Sequence, residues 1–296
     1  MWKKLLSSTN GSLGSADLFK LNDGNYLLAG GLTTSDGASN ILLVKITPDG
    51  IILLSRTYGS SVPGENSFVG NIINNPDGSL IVSGQVMGFD MTTYTFTSSI
   101  LAMKLKADLS IAWQKKLSGG MVNAVISKTG SGEILLSGFR AASLAGATNA
   151  LYAKLNPTTF SPVWTKTFGG AGAEMGFLTK TDTNYMLSGY TESFGGATVN
   201  KPNIFGIILD ANGNYANCNV KNFSLTVGDP GLAMSHITLT KTISFTLTAR
   251  TPGSPSNITL TRKSPTLVEK NICPSIAAPQ GEASEGPVDL QQEAEF

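Results

Sequence analysis

The sequence predicts an all-β fold built from repeated four-stranded units, and three observations carry that prediction. Short runs rich in Ile, Leu, Val, Tyr and Thr are separated by Gly, Asn and Asp, the pattern of strands and tight turns. Almost no window places Glu, Lys and Arg at the i and i+4 spacing of a helix surface. Three short motifs recur at a period of roughly 50 residues, the range of propeller blades and solenoid turns. Composition agrees: among 296 residues there are 33 Gly, 41% are hydrophobic and only 14% charged. Twenty-one Lys and Arg against 20 Asp and Glu leave a net charge of +1. That balance excludes a nucleic-acid binder acting through bulk charge, and the apolar fraction excludes an acidic disordered chain. No apolar stretch approaches the roughly 20 residues of a membrane-spanning helix.

The first motif is a turn followed by an apolar strand closed by Gly. It reads Asp23-Gly24-Asn25-Tyr26-Leu27-Leu28-Ala29-Gly30 and returns from Asp77 to Gly84, from Ser131 to Gly138 and from Asp182 to Gly189. The second is an apolar strand ending in Lys at Lys45, Lys104 and Lys154; its fourth copy, Phe205-Gly206-Ile207-Ile208, has lost the lysine. The third is an outer strand opened by a large apolar residue, at Trp2, Leu54, Trp113 and Trp164. Each period is expected to hold four short strands, these three among them, as a propeller blade does. The near-continuous apolar inner strands suit sheets stacked face to face, and the Asp-Gly pairs supply the positive φ of hairpin turns. The expected architecture is a β-propeller of four clear blades over residues 1–216.

These motifs, from Trp164-Thr165-Lys166-Thr167-Phe168-Gly169-Gly170 onward, resemble the bacterial β-propeller repeats of secreted and surface proteins. The resemblance covers about 2–213, is closest over 164–213, and identifies a repeat and not an activity. It implies stacked sheets outside the cytoplasm. Leu54 stands where Trp is expected and Ser131 where Asp is expected. The stretch Gln85 to Ser99 is longer than its counterparts and carries Phe89, Tyr94 and Phe96. Loops on one face of a propeller vary while strands stay constant, so these aromatics form the candidate interaction loop. The competing reading is a hairpin extension with its aromatics packed on the blade.

From 217 to 273 the Trp motif fades while β character persists. His236 to Thr248 alternates apolar and polar, and Ile258 to Thr261 and Leu267 to Ile272 read as two more strands. This span is expected to be a degenerate fifth blade or a small appended β module. Cys218 and Cys273 bracket it; a disulfide between them would add about 3–4 kcal/mol through loop entropy and imply an oxidising compartment. Two buried thiols are the alternative. Residues 274–296 form an acidic tail containing Pro and Gly, with Glu282, Glu285, Asp289, Glu293, Glu295 and the terminal Phe296 as candidate contacts to a body that carries the balancing +6. The opening Met1-Trp2-Lys3-Lys4-Leu5-Leu6 holds no apolar signal region, so an export segment is expected to have been removed.

Other features have local readings. The single histidine, His236, has no Cys or carboxylate near it in sequence and reads as structural. Asp210 to Asn214 loosely follows a calcium loop, but Lys221 stands where a bidentate carboxylate belongs, so it reads as a hairpin turn. Gly169 to Gly172 follows an outer strand and opens no helix, so it is a repeat turn and not a phosphate cradle. Trp2, Trp113 and Trp164 occupy equivalent repeat positions and read as blade-packing residues. No catalytic residue, metal ligand or cofactor is expected. The expectation is a non-enzymatic extracellular module at a bacterial cell surface, bound to a protein partner. Alternatives are a subunit of a pilus-like filament joined through its C-terminal unit or tail, and a propeller that binds glycans.

Overall fold

A computed structural model of the chain describes residues 4–243, apart from 61, 63, 91–93, 142–145, 195–200 and 216–218. Every described regular element is a strand, as the repeated apolar runs require. Cys218, Cys273, the strands expected beyond Ile243, Glu282, Glu285, Asp289, Glu293, Glu295 and Phe296 lie outside the described residues.

After β1 (Lys4–Ser8) the chain folds into four antiparallel meanders, one per repeat. Sheet 1 contains β2 (Gly11–Lys20), β3 (Tyr26–Thr34), β4 (Ser39–Ile46) and β5 (Ile52–Ser60). Sheet 2 contains β6 (Glu65–Asn74), β7 (Leu80–Asp90), β8 (Thr95–Leu105) and β9 (Ile111–Ser118). Sheet 3 contains β10 (Met121–Lys128), β11 (Ile134–Ala141), β12 (Thr148–Leu155) and β13 (Pro162–Phe168). A single parallel bridge, Met121 to Ser98, links sheets 2 and 3. Sheet 4 has three strands, β14 (Glu174–Lys180), β15 (Tyr185–Thr191) and β16 (Asn203–Leu209).

The sheets stack face to face, which explains why their middle strands are apolar on both sides. Leu27, Ile41 and Leu43 of sheet 1 meet Val82, Leu101 and Met103 of sheet 2. Ile81 and Ile100, on the reverse of sheet 2, meet Leu136 and Leu151 of sheet 3. Tyr152 and Phe168 then meet Tyr185, Leu187 and Phe205 of sheet 4. Among the described residues no strand pairing joins sheet 4 back to sheet 1, so the expected ring is not closed there.

The motif lysines have a common partner, the acid of the turn beside them. Lys45 pairs with Asp23 at 2.6 Å and Lys104 with Asp77 at 3.9 Å. In sheet 3, where Ser131 replaces the Asp, Glu133 two residues on takes over and pairs with Lys154. Two of the motif's large outer-strand residues fill joints between sheets, while Trp2 lies outside the described residues. Trp113 packs against Phe160, in the turn that precedes β13, with ring centroids 4.7 Å apart and planes tilted by 50°. Trp164 sits against Gly213, where a Cβ would come within 2.8 Å of the indole. Two buried phenols also tie joints: Tyr58 donates to the Leu109 carbonyl at 2.6 Å between sheets 1 and 2, and Tyr152 to that of Gly213 at 3.2 Å beside Trp164.

Of the span expected to be a fifth blade or module, only 219–243 is described, and that part makes no sheet of its own. Its described strands, β17 (Val220–Asn222), β18 (Thr226–Gly228), β19 (Leu232–His236) and β20 (Leu239–Ile243), do not pair with one another. They form a strap that visits the outer strands in reverse order, β13, β9, β5 and then β1. The strand expected to run from His236 to Thr248 is interrupted at Ile237, which turns inward and is buried against Leu32, Leu42 and Val44. Sheets 1, 2 and 3 therefore each hold five strands, the fifth being one short piece of strap.

Candidate interaction surfaces

The stretch Gln85 to Ser99 is the distal half of a hairpin whose two strands, β7 and β8, are the longest among the described residues. Its register pairs Phe89 with Phe96 and Asp90 with Thr95. Tyr94 adopts a left-handed φ of 53°, which turns its ring towards Phe89 in an edge-on contact at 6.3 Å and 78°. The two rings stand largely in water, with Tyr94 78% and Phe89 41% exposed. Phe96 is half-buried. Close to the hairpin's tip, opposite Gly88, Glu65 accepts from Ser60 at 2.7 Å and from Lys116 at 3.2 Å, anchoring the start of sheet 2. β6 pairs with β7 as far as Gly88, and past that point the tip presents the Phe89 and Tyr94 rings, a surface suited to burial against another molecule.

Sheet 4 carries a second surface, which the sequence reading missed. On the face turned away from sheet 3, Phe177, Met186, Tyr190, Ile204 and Ile208 are all exposed, Ile204 to 91%. The cross-strand register places Tyr190 opposite Ile204 and Met186 opposite Ile208, so these side chains form one apolar patch. Where sheets 1, 2 and 3 continue into an outer strand, the described residues put no strand beyond β16. The loss of the fourth motif lysine belongs to this difference, since Ile208 stands where Lys154 reaches its acid. The signal was the alternation of Ile204, Gly206 and Ile208 with Phe205, Ile207 and Leu209, apolar on both faces.

The strap was also missed, although it has a period of its own. Leu225, Leu232 and Leu239 recur every seven residues, and each seats in a different joint of the stack. The residues opposite Phe168, Leu117, Tyr58 and Leu6 are Val220, Val227, Met234 and Lys241, again seven apart. His236 belongs to this strap, where its Nδ1 lies 2.6 Å from the Arg56 guanidinium at the sheet 1 edge. Asp210 caps a turn by accepting from the backbone amides of Asn212 and Asn214, both at 2.8 Å. Among the described residues no group of three or more His, Cys, Asp or Glu is placed to hold a metal ion.

One charged cluster spans sheets 3 and 4. Glu133 accepts from Lys154, from Tyr185 Oη at 2.9 Å and from Lys180 at 3.2 Å, while Lys180 lies 4.6 Å above the Tyr185 ring. Partial burial pushes the Glu133 carboxyl up, but the hydrogen bonds from Lys154, Tyr185 and Lys180 outweigh it and hold it at about 2. Because the folded value lies below the ordinary 4.5, this contribution is full above that pH and is lost as pH falls towards about 2. Glu133→Gln should cost about 1–2 kcal/mol at neutral pH, after discounting for solvent screening. In urea titrations the gap between variant and parent should shrink as pH falls from 4.5 to 3; a constant gap would refute the assignment.

Compared with known proteins, the chain matches no protein-family model, and no curated protein is significantly similar to it in sequence.

Proposed function

We propose that this chain is a non-enzymatic, propeller-type module that works outside a bacterial cell as a structural or protein-interaction element. The observation that carries this reading is the β7–β8 arm, which holds Phe89 and Tyr94 exposed at the end of the longest described hairpin. Four stacked repeats joined by Trp, Tyr and strap contacts supply a stiff base for it. The extracellular placement rests on the resemblance of the repeats to those of secreted and surface proteins. Trp113 and Trp164 are occupied in joints between sheets, which removes them as a sugar-binding platform and favours a protein partner.

A photo-crosslinking residue in place of Tyr94, expressed in the producing bacterium, should trap one discrete protein adduct. The same residue at Lys106, an exposed turn position on the body, should trap none. Equal labelling from both positions, or from neither, would remove the arm as the binding element. The double variant Phe89→Ser, Tyr94→Ser should lose the adduct while changing stability by less than about 0.5 kcal/mol, because both rings are exposed. The filament alternative is favoured by a separate observation, the unlike and incomplete ends of the stack.

A further inference from the structure

We propose that the stack assembles head to tail, with the β1–β20 ribbon of one copy completing sheet 4 of a second copy. This deepens the self-assembly reading and is independent of the β7–β8 arm. Sheets 1, 2 and 3 share one plan: three inner strands, an outer strand and a piece of strap. Sheet 4 has the three inner strands alone among the described residues, and β1 with β20 is an outer strand and strap alone. Among the described residues, each end lacks what the other has.

The register supports the match position by position. In the complete sheets the third and outer strands pair Ile41 with Tyr58, Ile100 with Leu117 and Ala150 with Phe168. The repeat aligns Ile204 with the first member of each pair and Leu6 with the second. On the strap side Leu6 is already in register, facing Lys241 as Tyr58 faces Met234 and Leu117 faces Val227. What β1 lacks is a partner on the inner-strand side, and β16 is the one strand of its kind without an outer neighbour among the described residues. An open strand edge beside an apolar face is a template for strand addition, and the two-residue side-chain period fixes its register.

The face matches as well as the edge. Each sheet in the stack covers the apolar face of the one before it, and sheet 4 ends with Phe177, Tyr190, Ile204 and Ile208 uncovered. At the other end, Leu13, Tyr26 and Leu28 of sheet 1 are only partly buried beneath the ribbon. Within one chain these ends are apart: the strap holds β1 against sheet 1 through Ile237 and Leu239, while Ile204 remains in solvent. A second copy is therefore the occupant. Such a heterologous contact gives a ring if its rotation closes and a filament if it does not.

The test is the double variant Leu6→Cys, Ile204→Cys in the full chain, oxidised and separated without reductant, with the linked peptides identified by mass spectrometry. The proposal predicts a ladder of dimers and longer multiples joined between positions 6 and 204. Mixing the two single variants should give a dimer joined between those same positions. A 6–204 link within one chain would overturn the proposal in favour of a closed ring. Absence of any 6–204 link would also overturn it, and a 204–204 link from Ile204→Cys alone would replace it with a face-to-face dimer. Loss of the Tyr94 adduct leaves this result untouched, so the two readings fail separately.

Discussion

Gly138→Ala should destabilise the chain by about 3 kcal/mol, the upper range for forcing a methyl into a closed space. A Cβ at Gly138 would lie 2.0 Å from the Asn123 carbonyl oxygen and 2.6 Å from the Ala124 Cα. Backbone atoms cannot rotate aside as a flexible side chain can, so the strand itself must shift. Gly84 and Gly189 meet the same obstacle, at 1.9 Å from the Phe68 and Met175 carbonyl oxygens. The glycine that closes the inner strand of sheets 2, 3 and 4 is thus required by close approach of the preceding strand. Gly130→Ala is the control: nothing lies within 4 Å of its added methyl, so its effect should stay within about 0.5 kcal/mol. Urea denaturation of both variants decides the matter, and comparable midpoints would refute the close-approach account.

Phe160→Ala should cost about 3–4 kcal/mol, because a fully buried ring is removed from the joint it shares with Trp113. This position carries a second effect of opposite sign. Phe160 has a left-handed φ of 56°, and the matching turns hold Gly50 at 73°, Leu109 at 63° and Gly213 at 72°. The repeat therefore asks for one backbone conformation at four turns and fills it with glycine twice and with a core side chain twice. Burial of Leu109 and Phe160 offsets the steric cost of that φ, roughly 1 kcal/mol. Phe160→Gly should for that reason be less destabilised than Phe160→Ala by about 1 kcal/mol. The reverse order in equilibrium denaturation would show that the ring's burial does not work against a strained turn.

What could be read from the sequence was whatever repeats within one sheet. Asp23-Gly24 and Asp77-Gly78 marked hairpin turns because glycine alone accepts their φ without cost, and Leu27 or Leu135 marked inner strands because both faces are covered. The partners of Lys45, Lys104 and Lys154 were not legible, since each acid lies about a hairpin away and moves to Glu133 in the third copy. The strap was missed for a different reason. Its strands are three to five residues long, too short for alternation to register, and its information lies in the seven-residue spacing of Leu225, Leu232 and Leu239. Of the candidate site, the aromatic content of 85–99 was legible and its form was not, because a paired arm and a loop draw on the same Thr-rich composition. The apolar outer face of sheet 4 was hidden because an inner strand in a stack and an end strand awaiting a neighbour carry the same residues.

The claim on which the rest depends is that β16 is an open edge when the chain is alone and a paired one when copies meet. Amide hydrogen exchange of Ile204 to Ile208, followed at increasing protein concentration with the amides of β12 as reference, measures this directly. In dilute solution alternate amides of β16 should exchange rapidly while those of β12, held between β11 and β13, stay protected. Raising the concentration should slow β16 alone. Protection of every β16 amide to the level of β12 at the lowest concentration would contradict the account, because the fourth sheet would then be completed within a single chain.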